Sequence, residues 1–308
     1  MEIALQFVLL ALGFVMLGKG ADWFVEGAAG IAMRFGIPQL VIGLTIVAMG
    51  TSAPEAAVSI AAAVKGNADI TIGNIVGSNI LNILVILGLA ASIVPIAVAR
   101  STVRIEIPFM IGVTALLFYQ GRDGSISLAD GGVLMVAFAA YMMYLYTMAM
   151  KSNVDSDLEE PGLPLGRCLL GAVGGLALII AGSNVTVDAA TSIATYAGLS
   201  ERFIGLTIVA LGTSLPELFT SVAAARRGNA DIAIGNIVGS NIFNILFVVG
   251  LSSLIIDIPF ASAFNFDTYV ALGAAVLLWL CVLRTQRLQR WAGVLMLVCY
   301  AAYLGYIL

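Results

Sequence analysis

The sequence contains no histidine. That absence removes imidazole-bound zinc, copper or haem, and with them any histidine-based triad or proton relay. Charge is scarce as well: Asp, Glu, Lys and Arg make up 10% of the 308 residues, against roughly 25% in an ordinary soluble domain. The 14 Lys and Arg are outnumbered by 18 Asp and Glu, so no basic face exists to hold nucleic-acid phosphates. Cysteine is limited to Cys168, Cys281 and Cys299, scattered singly in apolar stretches without C-x-x-C spacing. An odd number cannot all pair within the chain, and these three read as small apolar packing residues.

What is abundant is apolar surface. Hydrophobic residues make up 61% of the chain and the mean hydropathy is +1.06. A water-soluble fold of this length could not bury so much, which excludes a soluble enzyme and a disordered protein and leaves a polytopic membrane protein. A spanning helix needs about 20 mostly apolar residues. Polar breaks near 34–38, 65–69, 100–104, 122–130, 151–167, 200–202, 226–231, 257–267 and 284–290 divide the chain into ten such spans. The first run has no preceding basic region and no small-residue cleavage site, so it reads as a retained helix rather than a signal peptide. Ten basic residues fall in the odd-numbered loops and three in the even ones (Lys65, Arg122 and Arg202). The positive-inside rule then places the odd loops in the cytoplasm and both termini outside.

The strongest pattern is a duplication. Residues 43–90 and 205–252 align without a gap at an offset of 162, with 34 of 48 positions identical. The offset extends upstream, where Gly20 meets Gly182, Asp22 meets Asn184 and Glu26 meets Asp188. Five spans per half is an odd number, so the second copy enters from the opposite side of the membrane. The expected fold is therefore an all-α membrane protein of ten transmembrane helices in two inverted five-helix repeats, an architecture that places a site near the bilayer midplane. The halves are residues 1–150 and 167–308, joined by a cytoplasmic linker over 151–166. The linker acids Asp155, Asp157, Glu159 and Glu160 lack EF-hand spacing and the required glycine, and read as a solvated connection rather than a calcium site.

The duplicated polar residues carry the chemistry. Gly50-Thr51-Ser52-Ala53-Pro54-Glu55 and Gly212-Thr213-Ser214-Leu215-Pro216-Glu217 each lie inside an apolar span. Pro54 and Pro216 donate no N–H, so they free the carbonyls of Gly50 and Gly212 and favour a broken helix. Broken backbone at membrane depth is tolerated where it is buried in protein or lines a watery cavity. Glu55 and Glu217 cost at least a few kcal/mol at that depth and are functional candidates by default. A second strip, Asn74, Ser78 and Asn82, is mirrored by Asn236, Ser240 and Asn244. Its i, i+4, i+8 spacing lines one helix face; interhelical hydrogen bonding is the competing use, weighing most for Asn74 and Asn236. Ser52 and Ser214 add hydroxyls, and Ala48 and Ala210 add main-chain carbonyls. Gly73 and Gly77, with Gly235 and Gly239, have G-x-x-x-G spacing for close helix packing. Asp22 and Glu26, with Asn184 and Asp188, read as interfacial or pore-mouth groups on a polar helix end, with Lys19 snorkelling.

This ligand set is all oxygen, which suits hard cations such as Ca²⁺ and Na⁺ better than transition metals. Two carboxylates match the charge of one Ca²⁺, and several Na⁺ could spread over the same oxygens. Ions competing for shared ligands at an alternately accessible site are enough for antiport.

The paired G-T-S-x-P-E and G-N-x-x-G-S-N-I-x-N-I motifs resemble the α-repeats of the cation/calcium exchanger superfamily, most of all those of prokaryotic sodium/calcium exchangers. The resemblance covers nearly the whole chain. It implies that the second, third, seventh and eighth helices form the ion-binding core, past which the first and sixth slide. It also implies that Glu55 and Glu217 bridge calcium, that Thr51, Ser52, Ser78, Thr213, Ser214 and Ser240 bind ions through hydroxyls or carbonyls, that Asn82 and Asn244 complete the centre, and that Ala48 and Ala210 give carbonyls to sodium. Some relatives, potassium-dependent ones included, have an acid where Asn244 stands, which argues against potassium co-transport here. Ala53 replaces the more usual Leu, with only a packing change expected. Regulation by the large calcium-sensing domains of animal exchangers is not expected.

The expected function is Na⁺/Ca²⁺ antiport in a lipid bilayer, a prokaryotic plasma membrane by analogy. No cofactor, enzymatic activity, nucleic acid or obligatory protein partner is expected. Ca²⁺/H⁺ antiport is the alternative within the same class; a cation channel or an intramembrane hydrolase is a remoter one.

Overall fold

The computed structural model describes residues 2–66, 68–151, 163–198 and 210–307. The first half contains α1 (Glu2–Arg34), α2 (Gln39–Thr51), α3 (Ala53–Val64), α4 (Thr71–Ile93), strand β1 (Ile96–Ala97), α5 (Thr102–Asp123), β2 (Ser125–Ile126) and α6 (Leu128–Lys151). The second contains α7 (Leu165–Tyr196), α8 (Ala210–Thr213), α9 (Leu215–Arg226), α10 (Ala230–Ile255), β3 (Ile258–Pro259), α11 (Ala263–Leu283), β4 (Arg287–Leu288) and α12 (Arg290–Ile307). Eight of the described helices are long and apolar enough to cross a membrane, and α2 with α3 makes a ninth if the bent pair is one span. Residues 201–209, which match the start of α2 at the offset of 162, lie outside the described residues, as do the predicted break at 200–202 and the linker acids.

The helices sort by burial. α10 is enclosed along nearly its whole length, from Ile232 to Val249, and α4 along most of its length. α1, α6 and α12 bury one edge and turn Leu5, Phe7, Val136 and Val298 outward. That distribution is what lipid permits: apolar side chains gain nothing by leaving it, so helices associate through close packing and hydrogen bonds instead. Both α4 and α10 widen into π-helix at the last Asn of the repeated motif, over Asn82–Leu87 and Asn244–Val249. Such insertions are frequent at functional sites.

Glycines permit the closest approaches. On α1, Gly13, Gly20 and Gly27 lie seven residues apart and meet α7 in descending order. A Cβ on Gly13 would sit 3.0 Å from Gly182 O, one on Gly20 2.9 Å from Gly175 O, and one on Gly27 2.5 Å from Cys168 O. α1 and α7 therefore run antiparallel, backbone against backbone, and Cys168 packs in this seam, its Sγ facing Gly30. Gly235 and Gly239 likewise press α10 against Gly43, Leu44 and Ala48, at 2.8–3.2 Å from added Cβ atoms. The expected close-packing use therefore holds for that G-x-x-x-G. For Gly73 and Gly77 the corresponding surface, residues 205–210, lies largely outside the described residues.

Two short antiparallel strand pairs tie the halves together: β1 with β4, and β2 with β3. β1 and β2 sit at opposite ends of α5. At the offset of 162, β3 is the counterpart of β1 and β4 that of β2, so each strand pairs with its counterpart's neighbour.

The predicted break is present. Ser52 leaves helical geometry at φ −82° and ψ 6°, and α2 and α3 meet at 51°. Ser214 does the same at φ −91° and ψ 3°. Pro54 and Pro216 fall in the first turn of α3 and α9, where a missing N–H costs nothing. The Gly212 carbonyl freed by Pro216 accepts a hydrogen bond from Ser183 Oγ on α7 at 2.7 Å. Ala21, at the equivalent place on α1, has no hydroxyl to offer. Ser183→Ala should lower unfolding stability by about 1–3 kcal/mol, the cost of leaving a buried acceptor without its donor; an unchanged thermal midpoint in detergent would show that this carbonyl needs no such partner.

Candidate functional site

The two breaks bring the two halves' repeated motifs together. Ser52 Oγ donates to Glu217 Oε1 at 2.8 Å, and reciprocally Ser214 Oγ donates to Glu55 Oε1 at 3.5 Å. Each glutamate is thus held by the serine of the other half, and both are 1% exposed. Each also stands in the first turn of its helix, where the helix dipole favours negative charge.

The amide strip divides in two. Asn74 Nδ2 donates to Ser59 Oγ at 2.9 Å and to Glu55 O at 3.3 Å, while Asn236 Nδ2 donates to Ser221 Oγ at 2.9 Å and to Glu217 O at 3.4 Å. These asparagines brace α3 and α9 against α4 and α10, the interhelical use weighed for them from the sequence. Asn236 Oδ1 also accepts from Thr51 Oγ1 at 3.0 Å. Asn82 and Asn244 are buried as well, each 1% exposed. Their amide nitrogens are engaged: Asn82 Nδ2 donates to Asn241 Oδ1 at 2.9 Å, and Asn244 Nδ2 to Asn79 Oδ1 at 3.1 Å. Their Oδ1 atoms have no partner among the described residues. Neither do Glu55 Oε2 and Glu217 Oε2.

Those four atoms, all on the duplicated motifs, mark the candidate site. An unsatisfied buried acceptor normally costs 1–3 kcal/mol, more when charged. Four of them on facing repeats, two from carboxylates and two from amides, suit a hard cation. Among the described residues no three Asp, Glu, Cys or His side chains gather in one place, so the charge available to such an ion is that of the two glutamates. Around this centre the Ala48 carbonyl accepts from Ser240 Oγ at 3.4 Å and from Thr51 Oγ1 at 3.3 Å. Ser78 is buried on α4. Thr213 and the main chain of Ala210 lie in α8 just before the second break.

Three features escaped the sequence reading. Asn79 and Asn241, one residue off the predicted strip, make the cross-half bonds just described. Glu106 is fully buried away from the site and accepts a hydrogen bond from Tyr144 OH; Thr268 takes its place in the second half. Arg227, at the end of α9, pairs with both Asp22 and Glu26 of α1, through Nε at 3.2 Å and Nη1 at 3.2 Å. These acids are partly exposed, but they lie 12 and eight residues before the end of α1 at Arg34 and not at a helix end, and they close α1 onto α9. The equivalent residues, Lys65 just past the end of α3 with Asn184 and Asp188 of α7, form no ion pair among the described residues, and α7 makes no comparable contact with α3.

Comparison with known proteins identifies the family. The family described as sodium/calcium exchanger protein matches residues 5–147 and 168–308. A putative antiporter, CaxA, of Alkalimonas amylolytica is 41% identical over 99% of this chain and 98% of its own. The sodium/calcium exchanger MaX1 of Methanosarcina acetivorans is 33% identical over 98% of each chain. Among solved structures, the sodium-calcium exchanger NCX_Mj soaked with Na⁺ and Sr²⁺ superposes with a TM-score of 0.86 at 34% identity, covering 98% of this chain and 99% of that one.

Proposed function

The chain belongs to the sodium/calcium exchanger family, a family of membrane transporters rather than enzymes, and from that premise we propose that it exchanges Na⁺ for Ca²⁺ by alternating access, with Glu55 and Glu217 as the shared ligands. The observation that carries this reading is the set of four partnerless buried oxygens, two of them from carboxylates. Their formal charge of −2 neutralises one Ca²⁺. Thr51, Ser52, Thr213, Ser214, Ser78 and Ser240, with the carbonyls of Ala48 and Ala210, would supply the further oxygens that several Na⁺ need. Ions that share ligands exclude one another, and exclusion couples their transport.

The inverted ten-helix arrangement belongs to this reading. It is supported by α1 and α7, repeat counterparts that run antiparallel, and by β3, which pairs at the opposite end of α5 from its counterpart β1. Both relations follow from a two-fold axis lying in the membrane plane. Alternating access is supported by the asymmetry of the clamps: α1 is closed onto α9 by Arg227, while α7 stands off α3. The halves, residues 1–150 and 167–308 about the 151–166 linker, would exchange these roles. The protein would sit in a prokaryotic plasma membrane with both termini outside.

The test is ⁴⁵Ca²⁺ uptake into proteoliposomes loaded with Na⁺ and diluted into Na⁺-free buffer. Uptake should require internal Na⁺ and should respond to voltage if more than two Na⁺ move per Ca²⁺. Uptake driven by a pH gradient and indifferent to sodium would transfer the counter-ion role to protons. Conductance without a counter-ion would make the protein a channel.

A further inference from the structure

The amides of Asn82 and Asn244 are held by a second pair of asparagines. Asn79 and Asn241 meet where the two halves join, and each side-chain nitrogen donates to the other residue's main-chain carbonyl: Asn79 Nδ2 to Asn241 O at 3.2 Å, Asn241 Nδ2 to Asn79 O at 3.3 Å. A main-chain carbonyl can only accept. The nitrogen end of each amide is therefore fixed in place, and so is the oxygen end opposite it. Those oxygens receive Asn244 Nδ2 and Asn82 Nδ2. An acceptor can be met only by an N–H, so Asn82 and Asn244 in turn have no choice of orientation. Their Oδ1 atoms are the ends left over, buried and without a partner among the described residues, as are Glu55 Oε2 and Glu217 Oε2.

We propose that Asn79 and Asn241 are positioning residues that set the polarity of the ion site, holding the Asn244 and Asn82 amides oxygen-inward so that a cation meets oxygens and no N–H. The proposal rests on the ion-exchange reading above. The role has particular weight in this chain because positions 82 and 244 are both amides. A carboxylate has two equivalent oxygens and cannot present a wrong end. A turned amide would put a donor where the cation belongs and would hydrogen-bond a glutamate oxygen that the cation needs.

The distinguishing experiment is a double-mutant cycle. Asn79→Ala removes the acceptor that orients Asn244; Asn244→Asp removes the need for orientation. Equilibrium ⁴⁵Ca²⁺ binding in detergent is measured for wild type, both single variants and the double variant, alongside Na⁺-driven uptake and unfolding temperature. Outer-shell partners of metal ligands are commonly worth about 10–100-fold in affinity. Asn79→Ala should accordingly weaken Ca²⁺ binding about tenfold or more in the wild-type background, and by less than about twofold when Asp occupies position 244.

A purely structural Asn79 predicts equal losses in both backgrounds, tracking the fall in unfolding temperature, and that result would overturn the proposal. The mirror cycle, Asn241→Ala with Asn82→Asp, supplies the same comparison should Asn79→Ala fail to fold. Because the binding arm needs no transport, wild-type protein that binds Ca²⁺ but does not exchange it for Na⁺ would sink the transport reading while the cycle still decides the positioning role. Wild-type protein that binds no Ca²⁺ would sink both.

Discussion

Glu55→Gln and Glu217→Gln should each abolish Na⁺-dependent Ca²⁺ uptake while leaving a folded protein. Glutamine keeps the shape and one acceptor, so Ser52 can still donate at position 217 and Ser214 at position 55. The other terminal atom becomes an NH₂ at the place of the partnerless Oε2. The site then loses half its formal charge and gains a donor facing the cation. Removing one partner from a buried charge pair costs about 3–5 kcal/mol, which is about two to three and a half decades of affinity. Both variants should fail to the same degree, because each glutamate is tied across the axis to the serine of the other half. Folding should not suffer, since a neutral amide is cheaper to bury than a carboxylate. Uptake that survives either substitution within a few-fold would remove the glutamates from the centre of the transport cycle.

Gly175→Val is expected to be nearly as damaging for an unrelated reason. A Cβ at 175 would lie 2.5 Å from Phe24 N and 2.7 Å from Gly20 O. Those are main-chain atoms of a helix and cannot turn aside as a side-chain tip can. The helices must part along the whole seam, losing the approaches at Gly13, Gly27 and Gly182 as well. Overpacking typically costs 1–3 kcal/mol where side chains can shift; here about 3 kcal/mol or more is expected, seen as a fall in detergent unfolding temperature and loss of uptake. Gly174→Val is the control, because a Cβ there has nothing within 4 Å. Equal harm from both substitutions would refute the seam as the cause and point to the helix itself.

The two predictions draw on differently legible parts of the molecule. The glutamates, the prolines and the break at Ser52 were readable because each is an expensive residue in an apolar span that recurs 162 residues later. The reciprocal Ser52–Glu217 and Ser214–Glu55 bonds followed once the halves were known to face each other. Asn79 and Asn241 were repeated just as faithfully and still went unread. Asn74, Ser78 and Asn82 line one face of α4, every fourth residue, and position 79 is turned about 100° from position 78. Only the register between α4 and α10 shows what that turned face meets. Gly13, Gly20 and Gly27 posed the same difficulty, since their spacing of seven gains meaning only beside Gly182, Gly175 and Cys168. Arg227 needed partners some 200 residues distant, and no local pattern gives such a distance.

That arginine also marks where the duplication stops being symmetrical. One end of the molecule offers a guanidinium and two carboxylates, Asp22 and Glu26. The matching end offers Lys65, one amide and one carboxylate. Half-exposed ion pairs are worth about 0.2–1 kcal/mol each, small for a fold yet enough to tilt a balance between two conformers by a few-fold. In the proposed cycle, a machine assembled from two related halves therefore has an idle position. It rests more often with the arginine end shut, before any ion gradient acts on it, and salt that screens the clamp relaxes that preference.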